Sequence, residues 1–212
     1  MAIELKAYLI KNSYHSQLKR LSFIGFSMGG IVIRASLGYL PEYISRLGFF
    51  MTFNTPHLGV SFKIKSVSDV GLWIINKFVK KDSSIKQLSM EDGQDLRESY
   101  LYWLSANDLM GRFRYIVLIG SQGDSYIKPD SCFIYEDKII KAEKQDKRRI
   151  YGEMIDNILD KVACEALIRI HVPCKDLGGN FESFIGKKSH IHIIVNFYTC
   201  YTLINHLAFL FA

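Results

Sequence analysis

A chain of 212 residues and 24.4 kDa can bury one sizeable core and is too short for two ordinary domains. With 49% hydrophobic and 23% charged residues and 4 Pro, it is not a disordered or low-complexity polypeptide. Its 27 basic and 21 acidic residues leave a charge of +6, too mild and dispersed to argue nucleic-acid binding.

Part of that surplus is local. Residues 61–86 carry Lys63, Lys65, Lys77, Lys80, Lys81 and Lys86 against only Asp69 and Asp82. Cys132, Cys164, Cys174 and Cys200 form no CxxC pair, which suits reduced thiols better than a disulfide framework or zinc site. Glu4, Lys6 and Lys11 interrupt the apolar run that a signal peptide needs. The expected compartment is the cytoplasm or nucleus.

In chain order, residues 2–18 suggest a short helix with Leu5, Tyr8 and Leu9 on one face. Leu21–Phe26 is an apolar run expected as a buried strand, and Met28–Leu40 a helix before Pro41. Leu47–Phe53 is a second buried strand, stopped by Asn54-Thr-Pro56. Val70, Trp73, Ile74 and Phe78 recur at helical spacing over 67–81. Asp95 and Glu98 have the spacing of a capping box, opening a helix faced by Leu96, Tyr100, Trp103 and Leu104. Tyr115–Gly120 is a third strand. A charged helix is expected from about Asp137 to Val162, with Met154, Ile155, Ile158, Leu159 and Val162 as its apolar stripe. Ala166–Val172 is a fourth strand. Alternating strands and helices imply an α/β fold, a parallel sheet covered on both faces.

Gly25-Phe-Ser27-Met-Gly29 is a G-x-S-x-G sequence where a strand ends and a helix begins, as a nucleophile elbow requires. In so tight a turn, side chains at both glycine positions are expected to collide with their surroundings. Ser27 then projects from the sheet, and the Met28 N–H points towards a developing oxyanion. A serine needs a histidine base, itself oriented by a carboxylate. In the order serine, aspartate, histidine, Asp124 lies just past the third strand, with Asp130 as fallback. His15 and His57 precede Asp124, and the plain reading of His57 is a loop residue shaping the site wall. His171 falls on the last strand and His206 in the apolar tail. His190 follows a glycine-containing loop and is the first choice, with His171 and His192 as alternatives. Gly186-Lys-Lys-Ser189 is not a phosphate loop, because position 181 is Phe rather than Gly. His190 and His192 have no Cys or carboxylate cluster near them in sequence, so no metal site is expected.

Leu21-Ser-Phe-Ile-Gly-Phe-Ser-Met-Gly-Gly-Ile-Val-Ile-Arg34 resembles the elbow of the eukaryotic serine-esterase (lipase-like) family. Within that family it resembles most the "family with sequence similarity 135" proteins. Asn54-Thr-Pro-His-Leu-Gly59 is similar to their Pro-His-Leu-Gly turn. Val70-Gly-Leu-Trp73, Gln87-Leu88, Asp95-Leu96, the Ser-x-x-Asp around Asp124, Glu153-Met154 and Ile185-Gly186…His190-Ile191 follow in step. The resemblance implies an α/β-hydrolase fold, with Ser27, Asp124 and His190 at the triad positions. The family usually has His where this chain has Phe26. It also continues past the last His into a charged helix, whereas residues 191–212 carry no Asp, Glu, Lys or Arg.

The expected organisation is therefore residues 1–190 as the C-terminal part of a hydrolase domain and 191–212 as an apolar C-terminal segment. Only 26 residues precede Ser27, so a partial fold is expected, without the N-terminal strands or the loop that supplies a second oxyanion donor. The function expected is cleavage of carboxylic esters, those of lipids first, through an acyl-serine intermediate. No cofactor or metal is implied. A membrane surface is a further expected partner through 61–86, and nucleic acid is not. The competing reading is a catalytically silent hydrolase-like module that binds protein or membrane.

Overall fold

The computed structural model describes residues 1–12, 14–60, 82–121, 124, 127–136, 144–173, 190 and 197–208. The helix expected over 67–81, residues 61–81 of the interfacial segment expected over 61–86, residues 137–143 of the expected charged helix, the loop expected before His190, and His192 lie outside the described residues.

Among the described residues, four strands form one parallel sheet in chain order: β1 (Leu21–Phe26), β2 (Leu47–Phe53), β3 (Tyr115–Ser121) and β4 (Ala166–Val172). The apolar runs of β2 and β3 fit their central places, where both faces are covered and no polar side is needed, whereas β1 and β4 are largely half-buried, with Ile24 59% exposed. In β2 and β3, Phe50, Ile116, Leu118 and Ile119 are completely shielded, each worth roughly 1.5–3 kcal/mol of transfer free energy. Phe26 is in register with Phe53, and Phe53 with Ile119, so the C-terminal ends of β1, β2 and β3 share one edge.

One face is covered by α3 (Met28–Leu37), α5 (Tyr100–Ala106) and α7 (Gln145–Leu159), which close the main core around Phe50, Phe113, Ile116 and Leu118. On the other face, Leu203 and Leu207 lie against Phe49, Met51, Val117, Ile119 and Val172. Leu203 belongs to α8 (Phe197–His206) and Leu207 follows it. Among the described residues, no helix is long and apolar enough to cross a membrane. The remaining α-helices among the described residues are α1 (Ala2–Lys11), α2 (Tyr14–Gln17), α4 (Asp82–Ser89) and α6 (Pro129–Phe133).

The structure moves several expected boundaries. The first helix divides into α1 and α2; Leu9 is buried, but Tyr8 is 58% exposed. Helix α3 ends at Leu37, and Pro41 opens a separate 3-10 turn to Arg46. The Asp95–Glu98 capping box exists but caps only the 3-10 turn Leu96–Glu98. Helix α5 starts afresh, with the Ser99 hydroxyl accepting the Tyr102 N–H. That second start rotates the buried face to Leu101, Leu104 and Ser105 and leaves Trp103 outside. In α7 the helix ends at Leu159, so Val162 packs on the core from beyond it, and Ile150 and Tyr151 join the buried stripe.

Candidate active site

Ser27 occupies the single-residue turn between β1 and α3, with φ 52° and ψ −128°. A non-glycine residue in that region carries about 1–3 kcal/mol of backbone strain and persists only where its surroundings enforce it. The enforcement is visible. The Ser27 N–H donates to the Phe53 carbonyl at 2.8 Å, tying the turn to the end of β2. A Cβ on Gly25 would stand 2.7 Å from the Gly30 backbone, so the strand and helix can approach only with glycine there.

The second steric expectation is corrected. A Cβ on Gly29 would meet nothing within 4 Å among the described residues, whereas one on Gly30 would stand 2.5 Å from the Thr55 hydroxyl oxygen. The pressing neighbour is the loop after β2, and it lies against residue 30, not 29.

Ser27, His190 and Asp124 stand in one line of hydrogen bonds. The Asp124 Oδ2 and His190 Nδ1 are 2.6 Å apart, and His190 Nε2 is 3.1 Å from the Ser27 Oγ. All three residues are buried. The carboxylate can only accept from the ring, which puts the proton on Nδ1 and leaves the Nε2 lone pair for the serine hydroxyl. Asp124 is held in turn, because its Oδ1 accepts the Ile127 N–H at 3.1 Å. Phe26 lies against the imidazole, ring centroids 5.1 Å apart. The Met28 N–H, first in α3, has no hydrogen-bond acceptor among the described residues. It lies at the positive end of the helix dipole, beside the serine.

The other candidates go elsewhere. His171 is exposed on β4 with its ring 4.0 Å from that of Phe133. His206 is exposed on α8, its Nδ1 2.8 Å from the Thr202 carbonyl. Asp130 is buried on α6, and the carboxylate on the His190 ring is that of Asp124. His57 departs furthest from the expectation of a wall residue. It is fully buried in a network with Thr52 and with Arg34, whose Nε donates to Asp108 Oδ2 at 2.7 Å. Burial, and then the nearby Arg34 charge, hold its pKa well below the ordinary histidine value. Burial, reinforced by the Asp124 charge, pushes the Cys132 thiol up to about 12. Among the described residues, no group of His, Cys, Asp and Glu side chains is arranged to hold a metal ion.

Residues 1–134 match the family described as "putative serine esterase (DUF676)". The chain belongs to that serine-esterase family. The matched residues include the elbow, the Asn54–Gly59 turn and Asp124, and His190 lies beyond them. No solved structure matches the chain. Family membership and the parallel α/β sheet agree with the fold class read from the sequence, a partial α/β-hydrolase.

Proposed function

We propose that the protein is a serine hydrolase that cleaves carboxylic esters through an acyl-serine intermediate. The observation that carries this reading is the unbroken chain Ser27 Oγ–His190–Asp124 beside the N-terminus of α3.

In the proposed cycle, His190 Nε2 takes the hydroxyl proton as Ser27 Oγ attacks the ester carbonyl carbon. Asp124 keeps the ring in the useful tautomer and stabilises the imidazolium that forms. The carbonyl oxygen becomes an oxyanion, and the Met28 N–H donates to it. Collapse breaks the bond to the alcohol oxygen, which leaves with the proton from His190 Nε2. Water then attacks the acyl carbon, giving a proton to His190 Nε2, and the second collapse breaks the acyl–Oγ bond, releases the carboxylic acid and passes that proton from His190 to Ser27 Oγ.

The resemblance to lipase-like serine esterases, and to the family with sequence similarity 135 within them, favours lipid esters as substrates. The six lysines of 61–86 suit a peripheral role at an anionic membrane surface facing the cytoplasm. A fluorophosphonate probe tests the chemistry: the wild-type chain should be labelled and Ser27→Ala should not. Labelling that survives Ser27→Ala would falsify the assignment.

A further inference from the structure

The sequence marks Asn54 as the stop of a strand and the first residue of the Asn54–Gly59 turn. Its surroundings give it a larger part. Asn54 is 1% exposed and follows β2 with φ 45°, a left-handed conformation that asparagine adopts more readily than most residues. This turn aims its amide between two neighbours. Nδ2 donates to the main-chain carbonyl of His190 at 2.8 Å, and Oδ1 accepts the Ser121 N–H at 2.8 Å. Its own N–H donates to the Ile119 carbonyl at 2.8 Å, while the preceding residue, Phe53, accepts the N–H of Ser27.

Residues 53 and 54 therefore touch the three places from which the hydrogen-bonded line is built: the elbow, the end of β3 three residues before Asp124, and His190. Asp124 and Ser27 fix the two ring nitrogens of His190. Those two bonds reach the ring and not the main chain that carries it, and His190 is 66 residues beyond Asp124 in sequence.

We infer that Asn54 is a positioning residue for the general base, holding the His190 backbone so that its ring spans Asp124 and Ser27. The catalytic consequence rests on the esterase reading above, whereas the positioning itself does not. A displacement of about 1 Å can cost 10²-fold in rate. Loss of this anchor should therefore lower turnover and leave substrate affinity alone.

Asn54→Asp is the sharpest variant. It keeps the shape, the left-handed preference and an acceptor for Ser121, but it cannot donate to the His190 carbonyl. Asn54→Gly accepts the backbone conformation and removes both side-chain bonds. In full-length chain labelled with ¹⁵N-histidine, the Nδ1–H resonance of His190 should broaden or vanish in both variants. Those of His57, in a separate network, should stay as an internal check on the fold. Fluorophosphonate labelling should slow by about 10–100-fold with the KM for a soluble ester within about twofold.

An unchanged His190 resonance in Asn54→Asp overturns the proposal. So does loss of the His57 signals in both variants, because the role is then general to the fold. Wild-type protein that is never labelled, combined with a His190 resonance that responds to Asn54→Asp, would refute the esterase reading and leave the positioning role standing.

Discussion

His57 and His190 are both buried almost completely, yet the protein holds them as opposite tautomers. At His57, the Arg34 guanidinium lies 3.3 Å from Nδ1 and can only donate. The ring proton therefore sits on Nε2, facing the Thr52 hydroxyl at 3.1 Å. At His190, a carboxylate on Nδ1 demands the proton there, and Nε2 turns its lone pair to a hydroxyl 3.1 Å away. A cation beside the first ring discourages a second proton. The proposed function gives the part of general base to the second ring, whose neighbour is an anion, so the sign of the neighbouring charge, and not burial alone, sets the two histidines apart.

Exchanging each histidine should separate the two rings most visibly. His190→Gln should lower ester turnover by about 10⁴-fold or more, in line with loss of a triad member. His57→Gln should leave the rate per folded molecule within a few-fold while lowering stability by about 1–3 kcal/mol, the cost of poorly satisfied buried groups. Steady-state kinetics with urea unfolding on both variants separates the two effects.

Removing the cation behind His57 is the next largest test. Arg34 and Asp108 are a buried pair, with Arg34 also donating to the His57 carbonyl at 2.8 Å. Arg34→Met should destabilise by about 3–5 kcal/mol, because Asp108 is left charged and uncompensated. The elbow glycines should also divide. Gly25→Ala and Gly30→Ala should each lower the melting temperature sharply, as their Cβ atoms meet backbone or the Thr55 side chain, and Gly29→Ala should be tolerated.

The smallest effect is in pH. Below pH 6.5, the ordinary histidine value, the unfolded chain takes up a proton at His57 that the folded network refuses. Stability should therefore be fully present above 6.5 and fall as pH drops towards the depressed folded value. The slope from this group is at most about 1.4 kcal/mol per pH unit. His57→Gln should flatten that part of the curve in unfolding titrations.

Much of this was legible from local sequence. Apolar runs bounded by turn residues located β1, β2 and β4 to the residue, and in β2 the continuous run reflects cover on both faces. The elbow was legible because strand, tight turn and helix are adjacent in the chain. What escaped was set by contacts across the fold. The Ser99 cap turned α5 away from its expected face, since a capping box does not say how many residues follow before the helix restarts. The crowding of Gly30 depends on Thr55, and the Arg34–His57 network joins α3 to the loop after β2. Asn54 carried a faint signal, a short polar residue able to turn left-handed directly after an apolar strand. Its partners at positions 121 and 190 are invisible until β2 and β3 pair.

In the proposed cycle Ser27 carries a covalent acyl group, with His190 as its base. Rapid mixing with an activated p-nitrophenyl ester, followed by acid quench and peptide mass spectrometry, detects that intermediate. A burst of p-nitrophenol is expected, with the acyl mass on the peptide containing Ser27, and no burst in His190→Gln. Ester cleavage with no adduct on Ser27, or folded protein with neither burst nor adduct, would contradict that cycle.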